Sequence, residues 1–153
     1  MSEYEVDADG FVCVVAPDGY SGFVDEDWTL PNLLRTFVEQ MNAGSLFVAY
    51  PGDEAADAAL VVDAEDTESV IRRADGVVHV GDGGLWLTDY TQLTMAAQFE
   101  DEGPLASYAH RLDVSPGTYL VTLSQIGDDE YALTVRPHRG EVIVHDAVPW
   151  FTD

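Results

Sequence analysis

The side chains that most often perform catalysis are few in this sequence and are not spaced for it. There are four histidines, at 79, 110, 138 and 145, and one cysteine, Cys13. No histidine pair has a zinc-binding spacing on a predicted helix, and Cys13 lies inside an apolar run, where a thiol usually packs inertly. No Gly-x-Ser-x-Gly motif offers a nucleophilic serine. We therefore predict no catalytic residue and no metal site.

Carboxylates are the dominant chemical groups. There are 29 acidic residues against 6 basic ones, and the net charge is −23. Pairs of carboxylates can bind Ca²⁺ or hydrolyse glycosides, but with this many acids such pairs arise by chance. The spacing Glu5-x-Asp7-x-Asp9-Gly10 matches half of a calcium loop, yet Ala16 stands where the loop needs glutamate. We interpret residues 1–10 as a solvated acidic N-terminal arm, and we predict no cofactor.

The negative charge excludes some partners and favours others. It repels phosphate backbones and anionic lipid, so we expect no direct binding to nucleic acid or membrane. It attracts cationic proteins and speeds their encounter. Our working hypothesis is a non-enzymatic, soluble acidic binding protein, an inhibitor or immunity-type protein that covers a basic site on a partner such as a toxin or nuclease.

Other interpretations of the same charge stay open. A salt-adapted domain of unassigned role, from a halophile or a high-GC organism, would use its acids for solvation, and binding of a small ligand or a divalent cation is compatible with this alternative. An enzyme is a further alternative, although no residue pattern names a reaction. An even spread of acids over the surface favours solvation, whereas a contiguous patch favours inhibition.

Two parts of the chain are candidate contacts for a partner. Acids are most concentrated between Arg35 and Arg72, where no basic residue intervenes, and one-sign clusters in loops steer association. The seven acids of this predicted acidic segment are Asp53, Glu54, Asp57, Asp63, Glu65, Asp66 and Glu68. The second candidate is Trp150-Phe151, because aromatic residues are enriched at interface centres. A second copy of this chain is an alternative partner.

One helix is strongly predicted, over residues 30–43. Its apolar residues recur at i, i+3, i+4, i+7, i+8 and i+11, which places them on one face: Leu30, Leu33, Leu34, Phe37, Val38 and Met41. Thr29 can cap its start, Pro31 fits its first turn, and Gly44 suits the left-handed position after its end. We expect this helix to lie across a sheet and form one wall of the core.

Nearly all the rest of the chain is predicted to be strand and turn. Gly81–Gly84 has the composition of a hairpin turn, and residues 107–145 are predicted to form an antiparallel meander. Residues 70–73 fit either a short strand or a helical turn. Apolar or alternating runs predict strands at 11–16, 20–24, 45–50, 58–62, 76–80, 85–88, 91–100, 108–114, 119–123, 131–135 and 141–144.

These elements predict a fold of the α+β class, predominantly antiparallel β. About nine strands would form a bent sheet or a two-sheet sandwich, with the amphipathic helix of residues 30–43 packed on it. A length of 153 residues fits one domain, 1–153. The acidic N-terminus does not resemble a secretory signal, and a lone cysteine fits a reducing compartment, so we expect a cytoplasmic protein.

Overall fold

Two sheets form the framework of the computed structural model, which describes residues 2–63, 70–105, 109–140 and 143–151. The first sheet contains five strands: Ser2–Glu5 (β1), Ala59–Val62 (β4), Arg72–Val80 (β5), Gly117–Gly127 (β8) and Glu130–Pro137 (β9). The second contains four: Val12–Val15 (β2), Leu46–Ala49 (β3), Leu85–Thr88 (β6) and His110–Leu112 (β7). Two helices accompany them, Leu30–Asn42 (α1) and Tyr90–Gln98 (α2). The predicted α+β class, with antiparallel strands predominant, is therefore confirmed.

The strand order of the two sheets leaves β1 and β7 at sheet edges. The five-stranded sheet runs β1-β4-β9-β8-β5, and the four-stranded sheet runs β3-β2-β6-β7. Every pairing among the described strands is antiparallel except β4 with β9, which is parallel. β1 and β7 are therefore each paired on one side only by these strands.

Helix α1 forms as its sequence predicts and packs on β3 and β5. The Thr29 side chain accepts a hydrogen bond from the Asn32 N–H at 3.4 Å, which caps the first turn. Leu33, Phe37 and Met41 are fully buried and form its core face. The core of the described part of the chain combines apolar residues of both helices and both sheets, and it includes every residue of β2 and β3.

The second helix, α2, corrects a prediction. Alternation of Leu93, Met95, Ala97 and Phe99 predicted a strand over 91–100, but residues 90–98 are helical. Leu93, Ala96 and Ala97 are buried at i, i+3 and i+4, whereas Met95 faces solvent. The Asp89 side chain accepts a hydrogen bond from the Gln92 N–H at 2.8 Å, and this cap favours the helix.

The predicted meander over 107–145 holds only for the hairpin of β8 and β9. β7 instead pairs with β6 in the other sheet. Likewise, Gly81–Gly84 is not a hairpin turn, because it connects β5 and β6, which belong to different sheets. Two successive strands joined by a turn have the sequence pattern of a hairpin. Here the packing of the two sheets instead places them in different sheets.

Several boundaries also differ from expectation. Residues 20–24 form no strand, and residues 70–73 lead into β5, which begins at Arg72. Of the predicted strand at 141–144, the first two residues lie outside the described part, and the other two are not in a strand. The arm expected over residues 1–10 is, in its Ser2–Glu5 portion, an edge strand paired with β4. None of the described helices has the length and apolar character that crossing a membrane requires.

Candidate functional site

An open cleft of about 770 Å³ lies where the edge strand of one sheet approaches the edge strand of the other. β1 and the loop after it form one wall, and the end of β6 with the start of α2 forms the other. The rings of Tyr4 on β1 and His110 on β7 are in contact across it, with centroids 4.5 Å apart. The cleft is thus built from chain segments distant in sequence.

Carboxylates line this cleft, which we call the acidic cleft. Its six acidic lining residues are Glu3, Glu5, Asp7, Asp9, Asp57 and Asp89. Four of them have exposed side chains and form its rim: Glu3, Glu5, Asp9 and Asp57. No arginine is among the described residues that line it, and its one lining histidine is His110. The cleft therefore offers concentrated negative charge to solvent.

Asp7, at the floor, holds the loop and the helix together. Its Oδ1 accepts hydrogen bonds from the N–H groups of Asp9 at 3.0 Å and Phe11 at 2.9 Å. Its Oδ2 accepts one from the N–H of Tyr90, in the first turn of α2, at 2.9 Å. Burial raises the pKa of the Asp7 carboxyl, while these backbone hydrogen bonds act in the opposite direction.

The start of α2 supplies the rest of the floor. Asp89 is 8% exposed and caps the helix through the Gln92 N–H. The Thr91 hydroxyl donates a hydrogen bond to Asp9 Oδ2 at 3.0 Å, which ties the rim to the helix. Carboxylates are stabilised at a helix N-terminus by its dipole and free N–H groups. The two floor acids, Asp7 and Asp89, thus support the structure of the cleft, and the exposed rim acids face solvent.

A close backbone approach brings Asp57 to the rim. Gly52 donates its N–H to the Gly10 carbonyl at 3.1 Å, and Asp57 donates its N–H to the Val6 carbonyl at 3.0 Å. Gly10 has a φ of +82°, and a Cβ there would lie only 2.3 Å from the Gly52 oxygen. Glycine at position 10 is therefore required for the acidic segment to lie against the loop that follows β1.

The structure separates the acids of the predicted acidic segment. Asp57 joins the acidic cleft, whereas Asp63, at the far end of β4, pairs with Arg136 at 3.3 Å. Asp53 accepts a hydrogen bond from the Tyr50 hydroxyl at 2.8 Å, and its neighbour Glu54 is exposed. Three further predicted acids lie outside the described residues: Glu65, Asp66 and Glu68. Partner binding by these seven acids stays a prediction.

The second predicted contact, Trp150-Phe151, is half-buried against the core. The Arg72 guanidinium stacks 4.1 Å from the centroid of the Trp150 ring, and Phe151 contacts Tyr50 with centroids 5.1 Å apart. Phe151 also lines a groove of about 320 Å³ beside α1. Packing therefore occupies much of both rings, and their role as anchors for a partner stays a prediction.

Among the residues that the structure describes, the other reactive side chains are not grouped into a catalytic or metal-binding site. Cys13 is completely buried, and burial raises the pKa of its thiol. The Asn42 side chain donates a hydrogen bond to the His145 carbonyl at 3.1 Å and accepts one from the His145 N–H at 2.7 Å. Burial lowers the pKa of the His145 imidazole. Within the described ranges, no group of three or more His, Cys, Asp or Glu side chains is arranged to hold a metal ion.

Sequence reasoning missed most of the cleft. The sequence predicts an acidic arm that contains Glu3, Glu5, Asp7 and Asp9, and no sequence pattern connects Asp89 or His110 with it. The available signals were local: the alternation of Glu3 and Glu5, and the helix-capping position of Asp89. Neither signal says that β1 lies near α2, because that proximity depends on long-range strand pairing.

Comparisons with known proteins address the fold alone. No protein-family model and no curated protein sequence matches the chain. Among solved structures, "Crocagin biosynthetic gene J" is 14% identical with a TM-score of 0.51, over 91% of this chain and 100% of that one. ComJ from Bacillus subtilis, described as an inhibitor of the DNA-degrading activity of NucA, is also 14% identical. Its TM-score is 0.48, over 88% of this chain and 94% of that one. This chain thus shares its α+β fold with the first of these proteins, and the likeness to the second is too weak to carry an argument.

Proposed function

We propose that this chain is a non-enzymatic binding protein that covers a basic site on a protein partner, as an inhibitor or immunity-type protein. The observation that carries the proposal is the acidic cleft, whose exposed rim bears four carboxylates while no described arginine lines it. Opposite charges across an interface give specificity and raise the association rate. The cleft thus fits lysine and arginine side chains of a partner.

Three of the chain's six arginines make contacts outside the cleft. Arg72 donates hydrogen bonds to Gln125 at 2.7 Å and to the Pro51 carbonyl at 2.9 Å. Arg136 pairs with Asp63, and Arg111 lies over the Trp86 ring at 5.8 Å from its centroid. Because these contacts hold three arginines away from the rim, and no other described arginine lines the cleft, its charge is available to an external cation.

The class of partner follows from the basic surface that it needs in order to bind the acidic cleft. Proteins that act on nucleic acids carry clustered lysine and arginine that neutralise phosphates. A row of carboxylates can occupy such a groove and exclude the nucleic acid. A nuclease or a toxin of that kind is therefore the partner we propose, and Tyr4 beside the rim offers a half-buried aromatic contact.

Solvation in salt is the second candidate function, and one observation favours it. Exposed acids also occur in clusters that do not line the cleft, at Asp25–Asp27, Glu100–Glu102 and Asp128–Glu130. A highly charged surface keeps a protein soluble and monomeric without any partner. The two functions differ in whether the position of the acids matters or only their number.

A pair of charge-matched variants tests this difference. The rim variant carries Glu3→Gln, Glu5→Gln, Asp9→Asn and Asp57→Asn. The control variant removes the same charge at exposed positions outside the cleft, with Glu26→Gln, Glu39→Gln, Asp27→Asn and Asp82→Asn. Each protein is used to capture partners from its native lysate, and association with the purified partner is then measured by surface plasmon resonance.

We expect the rim variant to associate at least about ten-fold more slowly than the parent at low salt, and the control to stay within about three-fold. Equal losses in both variants would show that only total charge matters. Capture of no specific partner by the parent at physiological salt would replace the proposal with the solvation function.

A further inference from the structure

We propose that the basic segment of the partner binds in an extended conformation, as an added strand along the free edge of β1. This inference rests on the proposed function and specifies how the cationic partner is held. Strand addition to an exposed sheet edge is a recurring way of binding peptides, in which backbone hydrogen bonds supply affinity and side chains supply specificity.

The hydrogen bonds of β4 show which backbone groups of β1 face outward. Ala59 donates its N–H to the Asp129 carbonyl at 3.1 Å, and Asp63, just after β4, donates its N–H to the Leu133 carbonyl at 2.7 Å. The backbone N–H and C=O groups of the odd-numbered residues in this stretch are therefore directed toward β9. The backbone N–H and C=O groups of the intervening residues, Leu60 and Val62, are therefore directed toward β1. Leu60 lies opposite Tyr4 in the register.

The same alternation continues along β1. Val6 donates its N–H to the Ala58 carbonyl at 2.9 Å, so Val6 and Tyr4 direct their backbone groups toward β4. Glu3 and Glu5 lie opposite Val61 and Ala59 as non-hydrogen-bonded pairs, so their N–H and C=O groups point away from the sheet. Both residues line the acidic cleft. The edge thus offers two donors and two acceptors to an incoming strand.

The side chains of this edge select the charge of the strand. Glu3 and Glu5 lie on one face of β1, about 7 Å apart at the usual rise per residue. An added strand with arginine or lysine at alternate positions places its cations opposite these carboxylates, and opposite-charge cross-strand pairs are stabilising. Asp9 and Asp57 extend the negative rim beyond the end of β1.

The same glutamates disfavour pairing of β1 with a second copy of itself. Such a pair would bring four glutamates of like charge together along one ladder, and like charges directly opposite each other are destabilising. Charged side chains on edge strands are a common protection against edge-to-edge association. The free edge of β1 therefore disfavours pairing with a second copy of β1 and favours pairing with a basic segment.

Two substitutions at one residue separate hydrogen bonding from charge. Glu5→Ala and Glu5→Pro both remove the carboxylate, but only proline also removes the outward N–H. Proline is tolerated on an edge strand where its N–H would face solvent, and the ladder with β4 does not use this group. Thermal unfolding of both variants serves as the folding control.

The probe is a short blocked peptide, about seven residues long, that alternates threonine and arginine. Its binding is measured by fluorescence anisotropy at low salt, beside a copy of equal charge with every backbone amide N-methylated. We expect Glu5→Pro to bind the peptide about five-fold more weakly than Glu5→Ala, from the loss of one hydrogen bond. We also expect slower hydrogen exchange at the Glu3 and Glu5 amides of the parent when the peptide is present.

If Glu5→Pro fails to fold, hydrogen exchange at the Glu3 and Glu5 amides of the parent still tests strand addition. Equal binding of the methylated and unmethylated peptides, with no protection at Glu3 and Glu5, would overturn strand addition. Charge-dependent binding in that case would leave the proposed function standing. If the peptide does not bind while the captured partner still distinguishes the rim variant from the control variant, strand addition fails and the proposed function again stands.

Discussion

The Asp7 carboxylate and the Tyr90 backbone N–H are joined by a 2.9 Å hydrogen bond between residues 83 positions apart in sequence. This bond fastens the loop after β1 to the first turn of α2. Because the same carboxylate also accepts bonds from Asp9 and Phe11, one side chain fixes both walls of the acidic cleft.

We expect Asp7→Ala to destabilise the fold by about 1–3 kcal/mol, because it leaves three backbone N–H groups without their acceptor. Asp7→Asn retains one carbonyl oxygen and should cost less. Urea denaturation of the two variants beside the parent measures the difference. If Asp7→Ala unfolds at the parent's urea midpoint, these hydrogen bonds do not organise the cleft.

Stability should also respond to pH through Asp7. Because burial raises its pKa above the ordinary 3.8, the folded state holds this proton more tightly than the unfolded chain does. Lowering the pH through the raised pKa toward 3.8 therefore stabilises the parent relative to Asp7→Asn, which lacks the titrating group. Urea titrations of both proteins from pH 7 to pH 4 measure the difference, and a constant difference would contradict the shift.

Phe37→Ala should be among the most damaging single substitutions. Phe37 is fully buried at the centre of the core face of α1, so truncation leaves a cavity that costs about 3–5 kcal/mol. Leu30→Ala, at a position 41% exposed on the same helix, is the control and should cost much less. A melting temperature for Phe37→Ala within a degree or two of the parent would be inconsistent with this packing.

Folding should depend on salt, because a net charge of −23 destabilises the compact state by self-repulsion. The Debye length falls from about 10 Å at 0.1 M to about 3 Å at 1 M, so screening relieves the repulsion. Differential scanning fluorimetry should therefore show a melting temperature that rises with NaCl. A flat response would show that the charges are compensated locally.

Two acids of the predicted acidic segment should contribute unequally to partner binding. Asp57 lines the acidic cleft, whereas Asp63 already pairs with Arg136. Asp57→Asn should slow association with the captured partner and flatten its salt dependence, and Asp63→Asn should change either quantity less. Stopped-flow kinetics at several salt concentrations measure both, and the reverse order would remove the cleft from the interface.

Local sequence signals were sufficient for α1 and insufficient for α2. In α1, six apolar residues match the helical period, and Thr29 and Pro31 mark its start. In α2, Leu93 and Ala97 fit both the helical and the alternating period over only nine residues, so the pattern alone could not choose. The structure shows what favours the helix, which is the cap that the Asp89 side chain provides to the Gln92 N–H.

The acidic cleft could be predicted only in part, because its residues meet through long-range pairing. The sequence shows that Asp57 lies in an acidic segment, but its position beside Val6, just after the end of β1, depends on the pairing of β1 with β4. The turn at Gly81–Gly84 illustrates the same limit, since its composition is the same whether the chain returns in one sheet or crosses to another.

The parallel pairing of β4 with β9 has a consequence for the order of folding. β8 and β9 are adjacent in sequence and close as a local hairpin, whereas β4 finds β9 only by closing the long stretch of chain between Ala59 and Glu130. Among the described strands β1 pairs with β4 alone, so we expect it to join the sheet after β4. Because β1 has one paired edge, we also expect it to open more readily than the inner strands, and a partner bound along it would slow that opening.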